Sequence, residues 1–244
     1  MKIAVCVHLF YTDMFNDIVN YLNNLKNPYD LYVSLVNGFF EQDIINKIKS
    51  FKSDVKIIFV ENKGVDIGGF LNCLKVIDND TDLILKLHTK KGIGLPNNPS
   101  TRVKHSGIDA SLSHGRQWFN GLMKGVLLDE GKVNRILNKF KTDTKCGMVG
   151  YKLFNNSSVN KNNIIKLSPL FGIDSTYLDK NFIGGTIFWV RYDIIKKYFT
   201  ENVITQIMND TPPGYVIEPS IMHSVERILG YVVSKENQNV ITVE

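Results

Sequence analysis

The sequence of 244 residues has few cysteines, two tryptophans and no apolar run of the length that a membrane span needs. Its cysteines, Cys6, Cys73 and Cys146, stand far apart in apolar surroundings. This spacing excludes a disulfide framework and a zinc motif, so we expect buried free thiols in a reducing compartment. The start of the chain has one lysine and too short an apolar stretch for a signal peptide. We therefore expect a cytoplasmic protein without a transmembrane segment, for which peripheral contact with a membrane stays open.

Composition and charge narrow the class of ligand. A hydrophobic content of 43% and a charged content of 22% are ordinary for a globular protein. The net charge of +5 suits an anionic ligand such as a nucleotide diphosphate, although it would also suit nucleic acid or an anionic membrane. We favour the nucleotide and expect no nucleic-acid partner. The first strand-to-helix turn has no glycine fingerprint, which argues against a dinucleotide-dependent dehydrogenase.

Apolar strands alternate with amphipathic helices through the first 91 residues. The predicted strands are Lys2–Phe10, Asp30–Val36, Asp54–Val60 and Asp82–His88. The predicted helices between them are one that Thr12 caps and that ends before Pro28, then Glu41–Phe51 and Ile67–Ile77. This alternation predicts an α/β fold with a mostly parallel sheet and right-handed crossovers.

The second half of the chain is less regular. The predicted helices are Gln117–Asp129, Lys132–Lys141, Asp193–Phe199 and Pro219–Leu229; Gly131 separates the first two and Gly230 caps the last. The predicted strands are Cys146–Tyr151 and Gly184–Val190, with a long loop over 92–113 and a polar excursion over 155–163. Because no linker divides the chain, we expect a single domain over residues 1–244, with a nucleotide-binding half over 1–91 and a less regular half over 92–244.

The fourth predicted strand ends in a cluster of basic and polar side chains. His88, Thr89, Lys90 and Lys91 follow its apolar run directly. Ligands of open α/β sheets bind at the carboxyl edge of the strands, so this cluster would bring positive charge to a ligand. An isolated lysine pair at a loop is more often merely solvated, and the neighbouring loops are what favour the ligand interpretation.

The loop between the third strand and the third helix, Glu61–Phe70, is rich in glycine. Gly64 and Gly68 permit positive φ and close backbone approach, and amides at a helix start favour an anion. Asp66 could accept a hydrogen bond from a ribose hydroxyl or a base, and a helix N-cap explains it equally well.

Two other loops are expected at the same edge of the sheet. His8–Tyr11 follows the first strand, and either Phe10 or Tyr11 could stack on a base or belong to the core. Asn37 follows the second strand. Together with Asn62, these loops favour a nucleotide site more strongly than any one of them does.

Two segments of the second half are candidates for the acceptor side. In Gly184–Arg191, Phe188 and Trp189 would point to opposite faces of a strand, so Trp189 could line the bottom of a sugar pocket while Phe188 packs in the core. Glu218–Arg227 begins a helix with an acid beside proline and carries His223. A carboxylate there could deprotonate an acceptor hydroxyl, although on spacing alone a capped helix with a surface ion pair is the better explanation.

The motifs HLFY, DLYVS, NKGVDIGGFL, LHTKK, GGTIFWVR and HSVER, in this order, resemble the rhamnan synthesis protein F family of glycosyltransferases. The resemblance spans about residues 3–230, and similar domains occur in glycan-building proteins of large viruses. It implies a GT-A fold and a nucleotide-activated donor (a UDP- or dTDP-sugar, often of rhamnose). It also implies a glycan acceptor, in the synthesis of a surface polysaccharide or a glycoprotein glycan, with transfer that we expect to be inverting.

The resemblance also suggests roles for individual residues. The family motifs map onto His8, Tyr11, Asn62, Gly64, Asp66, Gly68, His88, Thr89, Lys90, Lys91, His223, Glu226 and Arg227. With Phe10 and Asn37, those before His223 form the predicted donor site. We expect Glu218 to be the base, with Glu226 and His223 as further catalytic candidates, and Trp189, Arg191 and Arg227 to contact the acceptor. The chain departs from the family at Val65, where arginine is usual, at Gly69, where proline is usual, and at Glu218, where the usual acid is aspartate.

Most GT-A enzymes hold a divalent ion with an Asp-x-Asp motif, which this chain lacks after the fourth strand. Lys90, Lys91 and His88 could instead neutralise the leaving diphosphate as fixed groups. Alternatively, His88, Asp66 and His223 could hold Mn or Mg together with the phosphates. We favour the cationic side chains, with no certain cofactor. The missing acids also leave a second hypothesis: a non-catalytic nucleotide-sugar or glycan-binding module of a larger glycan-assembly protein.

Overall fold

A computed structural model describes residues 1–91, 112–155 and 157–244, with the side chains of 112–114 left out. Most of the predicted loop 92–113 lies outside the described residues. Within them, the strands are β1 (Ile3–His8), β2 (Tyr29–Val36), β3 (Lys56–Val60), β4 (Leu83–His88), β5 (Cys146–Gly150), β6 (Leu153–Phe154), β7 (Phe182–Ile183), β8 (Phe188–Arg191) and β9 (Asn239–Ile241). The helices are α1 (Phe15–Leu22), α2 (Gln42–Phe51), α3 (Val65–Leu74), α4 (Leu112–Leu127), α5 (Glu130–Thr142), α6 (Lys161–Phe171), α7 (Tyr192–Tyr198), α8 (Glu201–Asp210) and α9 (Ile221–Lys235).

One seven-stranded sheet organises the protein, in the order β3-β2-β1-β4-β8-β5-β9. Its strands run parallel except β8, which is antiparallel to both of its neighbours, β4 and β5. Helices α1, α2, α4 and α5 cover one face, and α3 with α6–α9 covers the other. The predicted α/β fold, with a mostly parallel, Rossmann-like sheet in a single domain, is confirmed.

The central strands are largely apolar because both of their faces are covered. Each residue of β1 and β4 is buried. On β4, Leu85 and Leu87 contact the core beneath α1 and α4, whereas Ile84 contacts the opposite core. All three cysteines are buried with free thiols. No helix in the described ranges is both long and apolar enough to cross a membrane.

Several predicted boundaries were wrong where local signals compete. Thr12 is not a cap but begins a short 3-10 helix, and α1 follows it at Phe15. The polar excursion over 155–163 runs into α6, whose start is masked by the polar run Lys161–Asn163. Helix α8 was not predicted. Gly131 lies inside the first turn of α5, because the N-cap of that helix is Asp129.

Gly230 does not end the last helix but lies inside α9, where β7 crosses close to it. A Cβ atom at this position would overlap the carbonyl oxygen of Asn181 and lie 2.7 Å from Phe182 Cα. Both atoms belong to backbone that cannot move aside cheaply. The absence of a side chain therefore permits the crossing.

We expect Gly230→Ala to lower the free energy of unfolding by about 1–3 kcal/mol, the usual cost of overpacking, despite alanine's better helix propensity. Urea denaturation measures the change. Gly131→Ala is the matched control: its Cβ would meet only side-chain ends, Asp129 Oδ1 at 3.2 Å and Arg135 Nη1 at 3.4 Å. The control should be neutral or slightly stabilising, and an equal loss in both variants would contradict the explanation.

Candidate functional site

The carboxyl edge of the sheet has its switch point between β1 and β4. The chain proceeds from β1 outward to β2 and β3 and then returns to the other side of β1 as β4. Loops on either side of such a point diverge and leave the crevice in which open α/β sheets bind ligands. Two hydrogen bonds join the loops here: Tyr11 N donates to Thr89 Oγ1 at 3.0 Å, and Thr89 N donates to the His8 carbonyl at 3.2 Å.

A row of polar side chains closes the floor of this crevice. Ser34, His8 and His88 are paired in register across β2, β1 and β4, and all three are buried. His8 Nδ1 lies 2.9 Å from Ser34 Oγ. A Cβ atom at Gly69 of α3 would overlap the His8 ring. The glycine at this position, where the family usually has proline, therefore allows α3 to pack closely against His8.

An ion pair lies beside this row. Lys86 projects from the middle of β4, is 1% exposed, and donates hydrogen bonds to Asp66 Oδ2 at 2.6 Å and to the Thr186 carbonyl at 2.8 Å. The Thr186 hydroxyl donates to the same carboxylate oxygen. His88 Nε2 lies 3.8 Å from that oxygen. Asp66 is therefore not the N-cap of α3, a position held by Gly64, but one partner of a cross-sheet pair.

The charges in this pair follow from its surroundings. Burial tends to raise the pKa of Asp66, but attraction by His88 when it is protonated, attraction by Lys86, and hydrogen bonds from Lys86 and Thr186 lower it well below its usual value. Burial lowers the pKa of His88 to about 4, so the imidazole is neutral at pH 7 and Lys86 is the positive partner there. Burial lowers the pKa of Lys86, and Asp66 opposes that effect.

The loop Gly184–Thr186 connects this pair to α9. Gly185 has φ of 83° and Thr186 has φ of 55°, a left-handed conformation that a threonine rarely adopts. The Gly185 carbonyl lies 2.8 Å from His88 Nε2, and its N–H donates to Glu226 Oε1 at 2.8 Å. Bonds on both sides of the loop hold the strained backbone in place.

One carboxylate on α9 and another just before the helix meet one arginine. Arg227 donates to Glu226 Oε2 at 2.8 Å and to Glu218 Oε1 at 2.5 Å. Asn160 also donates to Glu218, and Ser220 caps the helix. A continuous set of polar contacts thus runs from Asp66 through the loop to Glu218. We refer to Asp66, Lys86, His88, Gly184–Thr186, Glu226, Arg227 and Glu218 as the polar network.

The buried histidines predict how stability depends on pH. Burial lowers the pKa of both His8 and His88 from 6.5 to about 4, and it also lowers that of His223. Between pH 6.5 and about pH 4 the unfolded chain protonates His8 and His88, whereas the folded protein does not. The contribution of these residues to stability is therefore full above pH 6.5 and is lost as the pH falls. We expect a loss of about 3 kcal/mol per pH unit from His8 and His88 together. Urea denaturation at pH 7.5, 6.5 and 5.5 measures it. His8→Gln should roughly halve the slope, and a flat profile would contradict the pKa assignments.

The predicted basic side chains differ in what surrounds them. Lys91 forms an ion pair with Asp13 and lies 5.4 Å from the centre of the Tyr11 ring. Lys90 is half-buried, and no described residue forms an ion pair with it. Of these two lysines, Lys90 is therefore the one that can meet a ligand without first breaking a described pair.

Aromatic rings surround the same edge on the side of β1 and β2. Phe10 lies 5.1 Å from Tyr11 in an edge-on arrangement and 5.7 Å from Phe39, whose side chain is half exposed. Asn37, which precedes Phe39 in the loop after β2, is exposed. The two predicted aromatic residues thus lie together, with Phe39 as an addition that the sequence analysis missed.

The glycine-rich loop is shaped mainly by packing. Gly64 has φ of 78°, and a Cβ atom at Gly68 would overlap the Lys63 carbonyl. The Asn62 carbonyl accepts a hydrogen bond from Gly214 N at 2.7 Å, which anchors the segment before Glu218. These contacts give each predicted residue of the loop a structural function, whether or not a ligand also binds there.

Two predicted acceptor residues lie elsewhere. Trp189 is fully buried and donates from Nε1 to the Val126 carbonyl at 3.2 Å, so it is a core residue that offers no surface to a sugar. Arg191 lies at the opposite edge of the sheet, paired with Leu83, and its guanidinium binds carbonyl groups at the end of α5. Both expectations are corrected, because β8 is an interior, antiparallel strand.

The alternative metal-binding set does not assemble. Across 1–91, 112–155 and 157–244, no three histidine, cysteine, aspartate or glutamate side chains come close enough to hold an ion. His223 Nδ1 faces Ser220 Oγ at 2.8 Å, and both ring nitrogens of His88 face backbone carbonyls. These residues do not fit a metal site, and the metal requirement of the protein stays open.

Sequence reasoning missed Lys86 and Thr186. A lysine inside a continuous apolar strand is a usable signal, because a buried ammonium group requires a partner. Thr186 gives no comparable signal, since its role depends on a contact across 120 residues of sequence.

Comparison with known proteins gives one family and two similar relatives. The chain matches the family described as rhamnan synthesis protein F over residues 1–238. It is 23% identical over 248 residues to the proteins described as uncharacterized protein WxcX from two strains of Xanthomonas campestris pv. campestris. The match covers 99% of this chain and 32% of each relative, so the chain spans about a third of their length. Because the family match extends over nearly all of the sequence, the chain belongs to the rhamnan synthesis protein F family, a family of polysaccharide synthesis.

Proposed function

We propose that this chain is a glycosyltransferase. It transfers a sugar, for which rhamnose is the first candidate, from a UDP- or dTDP-linked donor to a hydroxyl group of a glycan, with inversion at the anomeric carbon. The observation that carries this proposal is the polar network, which connects the Lys86–Asp66 ion pair near the switch point of the sheet to Glu226 on α9 and to Glu218 just before that helix. A ligand site and a candidate base thereby share one rigid frame.

The donor would bind across the loops that follow β1, β2 and β4. Phe10, Tyr11 and Phe39 offer ring faces for the base. Asp66 uses Oδ2 for its contacts with Lys86, Thr186 and His88, and none of the described residues bonds Oδ1. That oxygen could accept a hydrogen bond from a ribose hydroxyl.

Lysine side chains would neutralise the diphosphate. Lys90 lies next to the crevice, and Lys91 can leave Asp13 at little cost, since exposed ion pairs contribute little to stability. Fixed positive charge near the departing oxygen stabilises the charge that develops as the bond between sugar and phosphate breaks.

Glu226 is our choice for the base. Its side chain is 13% exposed, against 5% for Glu218, and it also contacts the loop beside Lys86 and His88. In the proposed step its carboxylate takes the proton of the acceptor hydroxyl, whose oxygen bonds to the anomeric carbon. The bond from that carbon to the diphosphate breaks at the same time, and its electron pair leaves with the nucleotide. Glu218 and Arg227 then hold Glu226 in position.

A panel of UDP- and dTDP-sugars tests the proposal. A matching donor should raise the melting temperature, because a ligand that binds only the folded state stabilises it. It should also release nucleotide diphosphate, faster when a rhamnose oligosaccharide is present. Parallel reactions with Mn and with EDTA address the metal requirement. A panel in which no donor shifts the melting temperature would contradict the proposal.

A non-catalytic binding module is the second candidate. It is favoured by the engagement of both Glu218 and Glu226 with Arg227, because a carboxylate held by a guanidinium is not free to approach an acceptor hydroxyl. A module would bind a donor in the thermal assay and release no nucleotide, whereas a transferase would do both.

A further inference from the structure

Two aromatic side chains that neither the motifs nor the proposed mechanism uses lie at the same edge of the sheet as the polar network. Tyr151 directly follows β5, whose carboxyl end lies at this edge, and its side chain is 44% exposed. Trp118 of α4 is half-buried, with its ring centre 6.0 Å from that of Tyr151 at an angle of 72°. No hydrogen bond joins Trp118 Nε1 to another described residue. The pair presents ring faces and polar atoms together.

Helix α4 is shaped to hold Tyr151. A Cβ atom at Gly121 would lie 3.2 Å from the Tyr151 ring, and one at Gly125 would lie 2.6 Å from Tyr151 Cβ. Each glycine inside a helix costs up to about 1 kcal/mol relative to alanine. The two glycines thus make room for a side chain that remains 44% exposed. This arrangement adds little to the core but fixes an aromatic ring at the surface, as a rigid binding surface requires.

The pair lies against the loop that contacts the proposed base. A Cβ atom at Gly185 would lie 3.0 Å from Trp118 Nε1, so the indole ring borders Gly184–Thr186. The N–H of the same glycine donates to Glu226. The aromatic pair and the proposed donor site therefore lie on opposite sides of the polar network, since Phe10 and Tyr11 follow β1 whereas Tyr151 follows β5.

We infer that Trp118 and Tyr151 form a subsite for a neutral sugar ring of the acceptor glycan. The inference rests on the proposed function and deepens it. The apolar face of a pyranose packs on an aromatic ring, while the phenol hydroxyl and the indole N–H can bond its hydroxyl groups. The family's connection with rhamnan makes an α-linked rhamnose oligosaccharide the appropriate probe. Trp118 and Tyr151 replace the buried Trp189 as the acceptor-contacting aromatics.

Tryptophan fluorescence provides a direct binding assay that requires no turnover. Of the two tryptophans in the chain, Trp189 is fully buried, so acrylamide should quench mainly Trp118. Addition of an α-rhamnose trisaccharide should protect the emission from quenching in a saturable way. A non-pyranose sugar alcohol at the same concentration should give no protection.

Tyr151→Ala should weaken trisaccharide binding about tenfold and raise the acceptor KM in turnover assays by a similar factor. The thermal shifts that nucleotides induce should stay unchanged. Tyr151→Phe should retain most of the binding. Phe59→Ala is the matched control, because Phe59 is equally exposed (51%) but lies on the edge strand β3. An unprotected tryptophan in the wild-type protein, or equal affinity in Tyr151→Ala, would overturn the subsite. Protection by the trisaccharide without nucleotide release from any donor would overturn the proposed transfer and leave the subsite standing.

Discussion

Replacing Glu226 with glutamine is expected to reduce sugar transfer by about 10²- to 10⁴-fold, the usual contribution of a positioned general base. Glutamine keeps an oxygen to accept from Gly185 N but cannot take a proton from the acceptor. Donor binding, measured as the thermal shift with the matching nucleotide sugar, should stay unchanged. The loss should therefore appear in kcat and not in the donor KM.

Glu218→Gln is the matched variant, because Glu218 contacts the same guanidinium of Arg227. We expect it to lower stability while retaining most of the transfer, since its carboxylate is more deeply buried than that of Glu226. The reverse pattern would exchange the roles of the two acids and restore the first expectation from the sequence. If both variants retained full turnover, neither carboxylate would be the base.

Lys86→Met is expected to lower the free energy of unfolding by about 3 kcal/mol, the lower end of the range for breaking a buried pair, because Lys86 is 1% exposed whereas the Asp66 carboxylate that loses its partner is 20% exposed. For a chain of this length the melting temperature should fall by about 10 °C. The carboxylate of Asp66 would lose its hydrogen bond at 2.6 Å, and the Thr186 carbonyl would lose its donor. Thermal and urea unfolding both measure the effect.

The double variant Asp66→Asn/Lys86→Met should recover much of this loss, since it removes both charges. Lys56→Met serves as the control: Lys56 pairs with Asp78, and both side chains are more than 40% exposed. An exposed pair contributes little, so this variant should unfold almost like the wild type. A similar fall in both lysine variants would contradict the explanation, because it would show that loss of any lysine side chain, buried or exposed, has this effect.

The first half of the fold could be predicted from the sequence because its strands are buried on both faces and stand out as continuous apolar runs. The predicted Asp82–His88 and the observed β4 differ by one residue. The second half was harder, since β8 has four residues and runs against its neighbours, and α6 starts in a polar segment. An antiparallel direction is a property of the sheet that no local pattern carries.

The candidate site divides in the same way. His88 and the lysines after β4 could be found because they stand at a strand end in the sequence, and Asp66 because it lies in the glycine-rich stretch between β3 and α3. Trp189 was assigned to the wrong environment because alternation along a strand suggests one open face, whereas helices cover both faces of β8. The pairing of Lys86 with Thr186, and of Gly185 with Glu226, arises only when distant segments meet.

The bond between Lys86 and the Thr186 carbonyl spans 100 residues, and it has a consequence for biosynthesis. At ribosomal rates, about 5–20 s pass between the addition of these two residues to the nascent chain. During that interval the strands β1–β4 are already made, but α9, which packs against α3 in the same core, is still untranslated. The emerging polypeptide therefore carries an uncovered apolar face on α3 until α9 leaves the ribosomal tunnel.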